Sequence, residues 1–300
     1  MFNLYFAGWG CKEADIYLRQ KTCLRLLSYV NEYKLISSWL NDNLGERLFI
    51  DSGAYSVAHS NKQVDLDKYI EFISNNQSVR TFVELDVIPY PLLNIETAKY
   101  CSEKSWENYI YMMSKLDTKS YILPVYHFGE PKDSLRRILN TEINGKLPEY
   151  ICIGGRQGVS TDLQIAYFNE IFYIIQKSKN PKVKVHALGI TIPRILEFFP
   201  FYSADSTTWV QSAINGSILR HDLTMIKISD NTKYMLDNVQ SMPNEVKNLI
   251  SSEVGKLNYD FNDLCADYKL RLQYNIDILY NWAKNYKYKG PEQFVSKRLF

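Results

Sequence analysis

Short, continuously apolar runs alternate along this chain with stretches whose apolar residues recur at helical spacing. The runs Asn3 to Gly8, Arg47 to Ser52, Thr81 to Val87, Tyr121 to Phe128, Tyr150 to Gly155, Lys182 to Gly189, Phe201 to Ser206 and Thr224 to Ser229 read as strands. Most lack the alternation of a sheet with one wet face, as expected of strands covered on both sides. Between them, Glu13 to Val30, Leu66 to Asn75, Ile95 to Leu116, Pro131 to Leu139, Thr161 to Lys177 and Pro193 to Phe199 read as helices. Start signals precede several of these, including Asp65, Pro131, Ser160-Thr161-Asp162 and Thr191-Ile192-Pro193. Eight strands in this rhythm predict an α/β chain folded as a (β/α)8 TIM-like barrel. A doubly wound open sheet has a similar pattern and differs in leaving its first and last strands unpaired.

From about Met242 the strand signals stop. Asn244 to Tyr286 reads as helices, with Tyr268, Leu272, Ile276 and Leu279 forming one apolar face. Residues 1–241 are thus expected to form the barrel, and 242–300 a helical extension packed on it. The apolar start MFNLYFAGWG is too short to span a membrane and lacks the basic start and cleavage site of a signal peptide, so it reads as the first strand.

Composition narrows the partners. Of 300 residues, 35 are basic and 33 acidic, a formal charge of +2, so any nucleic-acid or membrane contact must come from a local patch. Cys11, Cys23, Cys101, Cys152 and Cys265 show no CxxC pair and no ligand spacing with histidine. That disfavours a zinc site or a disulfide framework and fits a reducing, cytoplasmic setting.

In a parallel barrel all strand C-termini open on one face, so the aspartates closing LFIDSGAYS, TFVELDVIP and FYSADSTTW would meet there. Asp51 precedes a small Ser52-Gly53-Ala54 turn, where a ligand could approach the backbone closely; capping of the next segment is the structural alternative. Glu84 and Asp86, two apart on a strand, are expected on one side, with Asp86 nearer the mouth. A carboxylate there could take two hydrogen bonds from a guanine-like base, or pair with a basic side chain. His127 and Gly129 end the fourth run, Gly154-Gly155 the fifth and Gly189 the sixth; adjacent glycines suit a flat ligand. His127 is as readily structural as functional, and His186, deeper in its strand, reads as structural. Asp205 is placed to be a nucleophile.

Together these segments resemble tRNA-guanine transglycosylases. DSGAYS is similar to that family's DSGG-type motif, and the double glycine, HALGI and ADSTTW follow in the family's order over Leu48 to Trp209. The resemblance implies a barrel that exchanges guanine in nucleic acid for a 7-deazaguanine such as preQ0, with no cofactor. It implies Asp205 as nucleophile, Asp51 as general acid/base, and Asp86 as base-recognising, with Ser52, Gly53, His127, Gly154, Gly155 and Gly189 lining the substrate pocket. His127 stands where the family has a glutamine-glycine motif.

A second departure concerns the polymer. The tRNA enzymes carry a CxCxxC zinc module, whereas only Cys265 follows Cys152 here. The chain in this respect resembles the phage and bacterial branch acting on DNA, which places DNA ahead of tRNA as partner. Tyr55, Tyr90, Tyr126 or Trp209 could support a flipped base or simply pack. Lys284, Lys287, Lys289, Lys297 and Arg298, interleaved with Trp282, Tyr286 and Tyr288, read as a backbone-contacting patch or as a solvated helix end. Two further classes are a metal-dependent barrel hydrolase using Asp51, Asp86, His127 and Asp205, and a catalytically silent nucleic-acid-binding relative.

Overall fold

The computed structural model describes residues 2–58, 63–89, 94–155, 158–288, 290–291 and 294–295. Nine parallel strands, β1 (Asn3–Ala7), β2 (Leu24–Ser28), β3 (Leu48–Asp51), β4 (Thr81–Val83), β5 (Tyr121–Leu123), β6 (Val125–Tyr126), β7 (Tyr150–Gly154), β8 (Lys184–Leu188) and β9 (Ser203–Ser206), form one sheet. Its order is β5-β4-β3-β2-β1-β9-β8-β7-β6. The strands at the two ends of that order are one physical strand. Pro124, which has no N–H and a fixed φ, separates β5 from β6, yet β5 pairs with β4 and β6 with β7. The order therefore closes on itself as eight strands in chain sequence, a (β/α)8 TIM-like barrel.

The expected barrel is reached with one strand exchanged. The stretch Glu13 to Val30 is not one helix: it is the helix Lys12–Gln20 followed by strand β2. The break falls at Thr22, which takes a left-handed φ of 55° without any glycine to announce it. Conversely, the run Thr224 to Ser229 supplies no barrel strand. It contains β11 (Met225–Lys227), paired antiparallel with β10 (Ser217–Leu219) in a two-stranded sheet. Met225 is 62% exposed there, which a strand covered on both faces would not allow.

Packing divides the chain into two compact units, Leu24–Asp205 with Tyr288–Phe300, and Met1–Cys23 with Ser206–Lys287. In the larger unit, helices Leu66–Asn75, Ile95–Lys115 and Thr161–Lys177 begin where Asp65, Asn94 and Ser160 accept from the backbone N–H of Lys68, Thr97 and Leu163. Their buried faces meet strands that are themselves fully buried at Phe49, Ile50, Phe82, Val83, Ile151 and Ile153. An aromatic layer of Phe168, Phe172, Phe199 and Phe201 lies under the helix Thr161–Lys177, with Phe172 and Phe199 stacked at 5.6 Å. Each such ring contributes about 1.5–3 kcal/mol by leaving water.

In the smaller unit, the helix Tyr268–Asn285 buries Leu272, Ile276 and Leu279. Buried Asn275 accepts from the Leu219 N–H at 2.8 Å and donates to the Trp209 carbonyl at 3.2 Å. Arg271 donates to the Ala213, Leu264 and Cys265 carbonyls, stitching the helix to its neighbours. Among the described residues no helix is long and apolar enough to cross a membrane.

Candidate functional site

The mouth of the larger unit is built from two hydrogen-bonded groups carried on the ends of the strands. In the first, β3 finishes at Asp51 and the chain turns at Gly53, whose φ is +90°. A Cβ at Gly53 would lie 2.5 Å from Val30 Cγ2, so this turn demands glycine on two counts. Asp51 Oδ2 accepts from the Gly53 N–H at 3.0 Å, the local cap that was the structural alternative for this residue. Fully buried Ser52 turns the other way and donates its hydroxyl to Asp86 Oδ1 at 3.0 Å.

Regular pairing in β4 ends at Val83, and the segment that follows is held from the helix Ile95–Lys115. Ser105 Oγ accepts from the Val87 N–H at 2.8 Å, and Asn108 donates to the Leu85 carbonyl at 2.7 Å. Because the strand geometry stops early, Glu84 and Asp86 do not share a side as their spacing suggests. Glu84 lines a cavity beneath the helices, whereas Asp86 reaches the mouth. There Asp86 Oδ2 meets His127 Nε2 at 2.8 Å. Asp86 is thus paired with a histidine rather than a lysine or arginine. Burial disfavours the imidazolium, but the Asp86 hydrogen bond and the charges of Asp86, Glu130 and Asp51 outweigh it and raise the His127 pKa. His127 therefore donates from Nε2. Its Nδ1 sits only 3.0 Å from where a Cβ on Gly154 would be, so glycine at 154 makes room for this ring.

The second group centres on Asp205, at the end of β9 and only 7% exposed. Its Oδ1 accepts from the Gly189 N–H at 2.7 Å and pairs with His186 Nε2 at 3.3 Å. Fully buried His186 packs against Phe49 at 4.4 Å between ring centroids, with the rings tilted by 32°, and bonds through Nδ1 to Ser203, which bonds in turn to Tyr150. One assignment of protons satisfies the whole row: Tyr150 O–H to Ser203, Ser203 O–H to His186 Nδ1, and His186 Nε2–H to Asp205. No hydrogen bond from a described residue reaches Asp205 Oδ2. His186 is buried as the sequence suggests, and its ring orients the carboxylate of Asp205.

The two groups sense each other electrostatically. Burial lifts the Asp51 pKa from the usual 3.8 to about 7, helped by the Asp86 and Asp205 charges, with the Gly53 N–H opposing. Fully buried Cys152 has its thiol pKa raised by burial and then by the charges of Asp86, Asp51 and Asp205 in turn, so all three carboxylates act on one buried group. The arrangement offers a carboxyl that holds its proton near neutral pH (Asp51), an oriented carboxylate whose second oxygen takes no hydrogen bond from a described residue (Asp205), and a hydrogen-bonded aspartate-histidine pair (Asp86 and His127). Gly155 packs against Ile190, 2.7 Å from where its Cβ would be.

Other expected residues fall elsewhere. Tyr126 is buried, donating to the Glu130 carbonyl, and Trp209 is buried, donating to the Ala7 carbonyl; both are core. Tyr55 is 59% exposed. Lys284 and Lys287 are exposed, but Trp282 and Tyr286 beside them pack on Phe2 and Tyr288 packs on Tyr202. The aromatic half of that interleaved stretch is packing, not a stacking platform. Lys289, Tyr90, Lys297 and Arg298 lie outside the described residues. Sequence reasoning missed Ser203 and Tyr150; their only signal was a hydroxyl two residues before Asp205 and one opening the run that carries Gly154.

Among the described residues no three histidine, cysteine or acidic side chains converge as a metal cage. No protein-family model matches the chain, and no curated protein matches it.

Proposed function

We propose that this mouth exchanges guanine in DNA for a 7-deazaguanine through a covalent aspartyl-deoxyribose intermediate. The observation that carries the reading is the convergence of Asp51, Asp86 and Asp205, close enough for the proton affinity of Asp51 to respond to both neighbours. A glycosidic bond to a purine breaks only if the sugar carbon gains a nucleophile while the departing base gains a proton. Asp205 Oδ2 attacks C1′, the C1′–N9 electron pair leaves with guanine, and protonated Asp51 supplies the proton. The incoming deazapurine then gives a proton back to Asp51 and attacks the same carbon, the ester bond breaks, and Asp205 is freed. Two inversions retain the configuration, and no proton is consumed overall.

The hydrogen bonds already present support this division of labour. The Gly189 N–H and His186 hold Oδ1 of Asp205 and leave Oδ2 for the sugar. The Asp86 oxygens hold Ser52 and His127, and each keeps a second lone pair for an N–H of the base. The preference for DNA over tRNA rests on the sequence, where one cysteine follows Cys152.

Incubation with labelled 7-deazaguanine and either duplex DNA or tRNA, followed by nucleoside analysis, tests the proposal. Label in DNA supports it, and label in tRNA alone moves the activity to the other polymer. Binding without label in either would mark a silent relative. Asp205→Asn keeps an oxygen for the Gly189 N–H but is a poor nucleophile, so exchange should vanish with the melting temperature unchanged within a few degrees. Turnover at the parent rate would reject Asp205 as nucleophile.

A further inference from the structure

Behind the mouth, between the barrel wall and the helices Ile95–Lys115 and Lys132–Asn140, a small, partly open cavity is lined by Glu84, Glu130, Arg137, Ser102, Ser105 and Ser134. The serine hydroxyl protons are already placed. Ser102 donates to the Lys99 carbonyl, Ser105 to the Cys101 carbonyl and Ser134 to Ser102 Oγ. Glu84 Oε1 accepts from the Val125 N–H at 2.6 Å. Three buried atoms are left without a hydrogen-bond partner among the described residues: Glu84 Oε2, Glu130 Oε1 and Arg137 Nε. Glu84 is 1% exposed and Glu130 4%. Each unmade bond costs about 1–3 kcal/mol, so a folded chain does not leave all three unmet.

Two acceptors and one donor are the complement of a water molecule, which donates twice and accepts up to twice. The cavity leaves about 10 Å³ open to a water's centre, room for about one molecule and no more. A metal ion fits the donor set poorly, because the Arg137 Nε–H faces the same space and cannot ligate.

We propose that this cavity is a built site for one internal water, which couples Glu84 to Glu130 and thereby sets the charge that His127 meets from behind. The water accepts from Arg137 Nε–H and donates to Glu130 Oε1. Toward Glu84 it donates to Oε2 when that carboxyl is ionised and accepts from it when protonated, so it stays satisfied in either state. Burial favours the protonated forms, raising Glu84 well above its usual range and Glu130 to about 7. A proton can pass between the two carboxyls through the water. Glu130 is joined to His127 through the chain: its N–H donates to the His127 carbonyl at 3.2 Å. The titratable groups facing Glu130 are His127, Asp86, Glu84 and Arg137, with the Tyr126 and Tyr167 hydroxyls and the Cys101 thiol.

The water site is independent of the exchange chemistry and is tested without it. A high-resolution crystal structure of the unmodified chain should place one water within about 2.6–3.2 Å of Glu84 Oε2, Glu130 Oε1 and Arg137 Nε. An empty cavity, a direct Glu84–Glu130 contact, or an anomalous peak there after soaking with thallium(I) would overturn the site. The coupling to His127 is read by NMR titration of its ring. Glu130→Gln keeps the shape and removes the charge, so the His127 midpoint should fall by roughly half a pH unit or more. An unmoved midpoint would overturn the coupling.

Discussion

Replacing Asp51 by asparagine should make the protein more stable, and increasingly so as the pH rises. In the folded chain this carboxyl keeps its proton up to about pH 7; in the unfolded chain it releases it near 3.9. Between those values the folded state binds the extra proton, so stability falls as the pH climbs. Below about pH 4 both states are protonated and the group has no effect; above about pH 7 both are ionised and the full penalty is present. Three pH units at about 1.4 kcal/mol each give about 4 kcal/mol. Asparagine cannot ionise, and its Oδ1 still accepts from the Gly53 N–H. The stability of Asp51→Asn minus that of the parent should therefore grow by about 2–3 kcal/mol from pH 5 to pH 8. Urea unfolding followed by tryptophan fluorescence, at fixed ionic strength and both pH values, measures it. Groups common to both proteins, such as Glu130 and His127, largely cancel in the difference. A difference that changed by less than about 0.5 kcal/mol, or that shrank, would refute the picture of a carboxyl held protonated by burial and by Asp86 and Asp205.

Gly154→Ala should lose about 1–3 kcal/mol in the same assay, because the new methyl group meets His127 Nδ1 at 3.0 Å; unchanged stability would mean the ring is free to move. Thr22→Gly should gain up to about 1 kcal/mol by relieving a left-handed φ of 55° on a β-branched residue, and a loss in thermal unfolding would contradict that account. If the exposed lysines contact phosphates, the double change Lys284→Ala with Lys287→Ala should flatten the slope of log affinity against log salt by about 2 for duplex DNA. A parallel slope would remove them from the interface.

The helices Leu66–Asn75 and Thr161–Lys177 were legible to the residue, because a capping side chain precedes an unbroken apolar face in each. Strand β2 was not. The turn before it uses Thr22 where a reader looks for glycine, and within it Arg25 is a buried charge, lying over the Trp39 ring at 6.0 Å. The run containing β11 has the composition of a barrel strand, and only its partner and the exposure of Met225 distinguish it. At the site, Asp51, Asp86 and Asp205 could be found because barrel topology gathers strand ends. Pairings that depend on where regular structure stops could not: the parting of Glu84 from Asp86 follows from β4 ending at Val83. The row from Tyr150 through Ser203 and His186 depends on the register of neighbouring strands, which no local pattern encodes.

The proline inside the fifth barrel strand reaches further than its own ring. Where the ladder is interrupted, the amide of Val125 takes a side-chain acceptor, Glu84 Oε1, instead of a carbonyl from the next strand. Position 84 has thereby become an honorary piece of main chain. Glutamine can fill that office; leucine, of similar bulk, would strand the amide in the barrel wall.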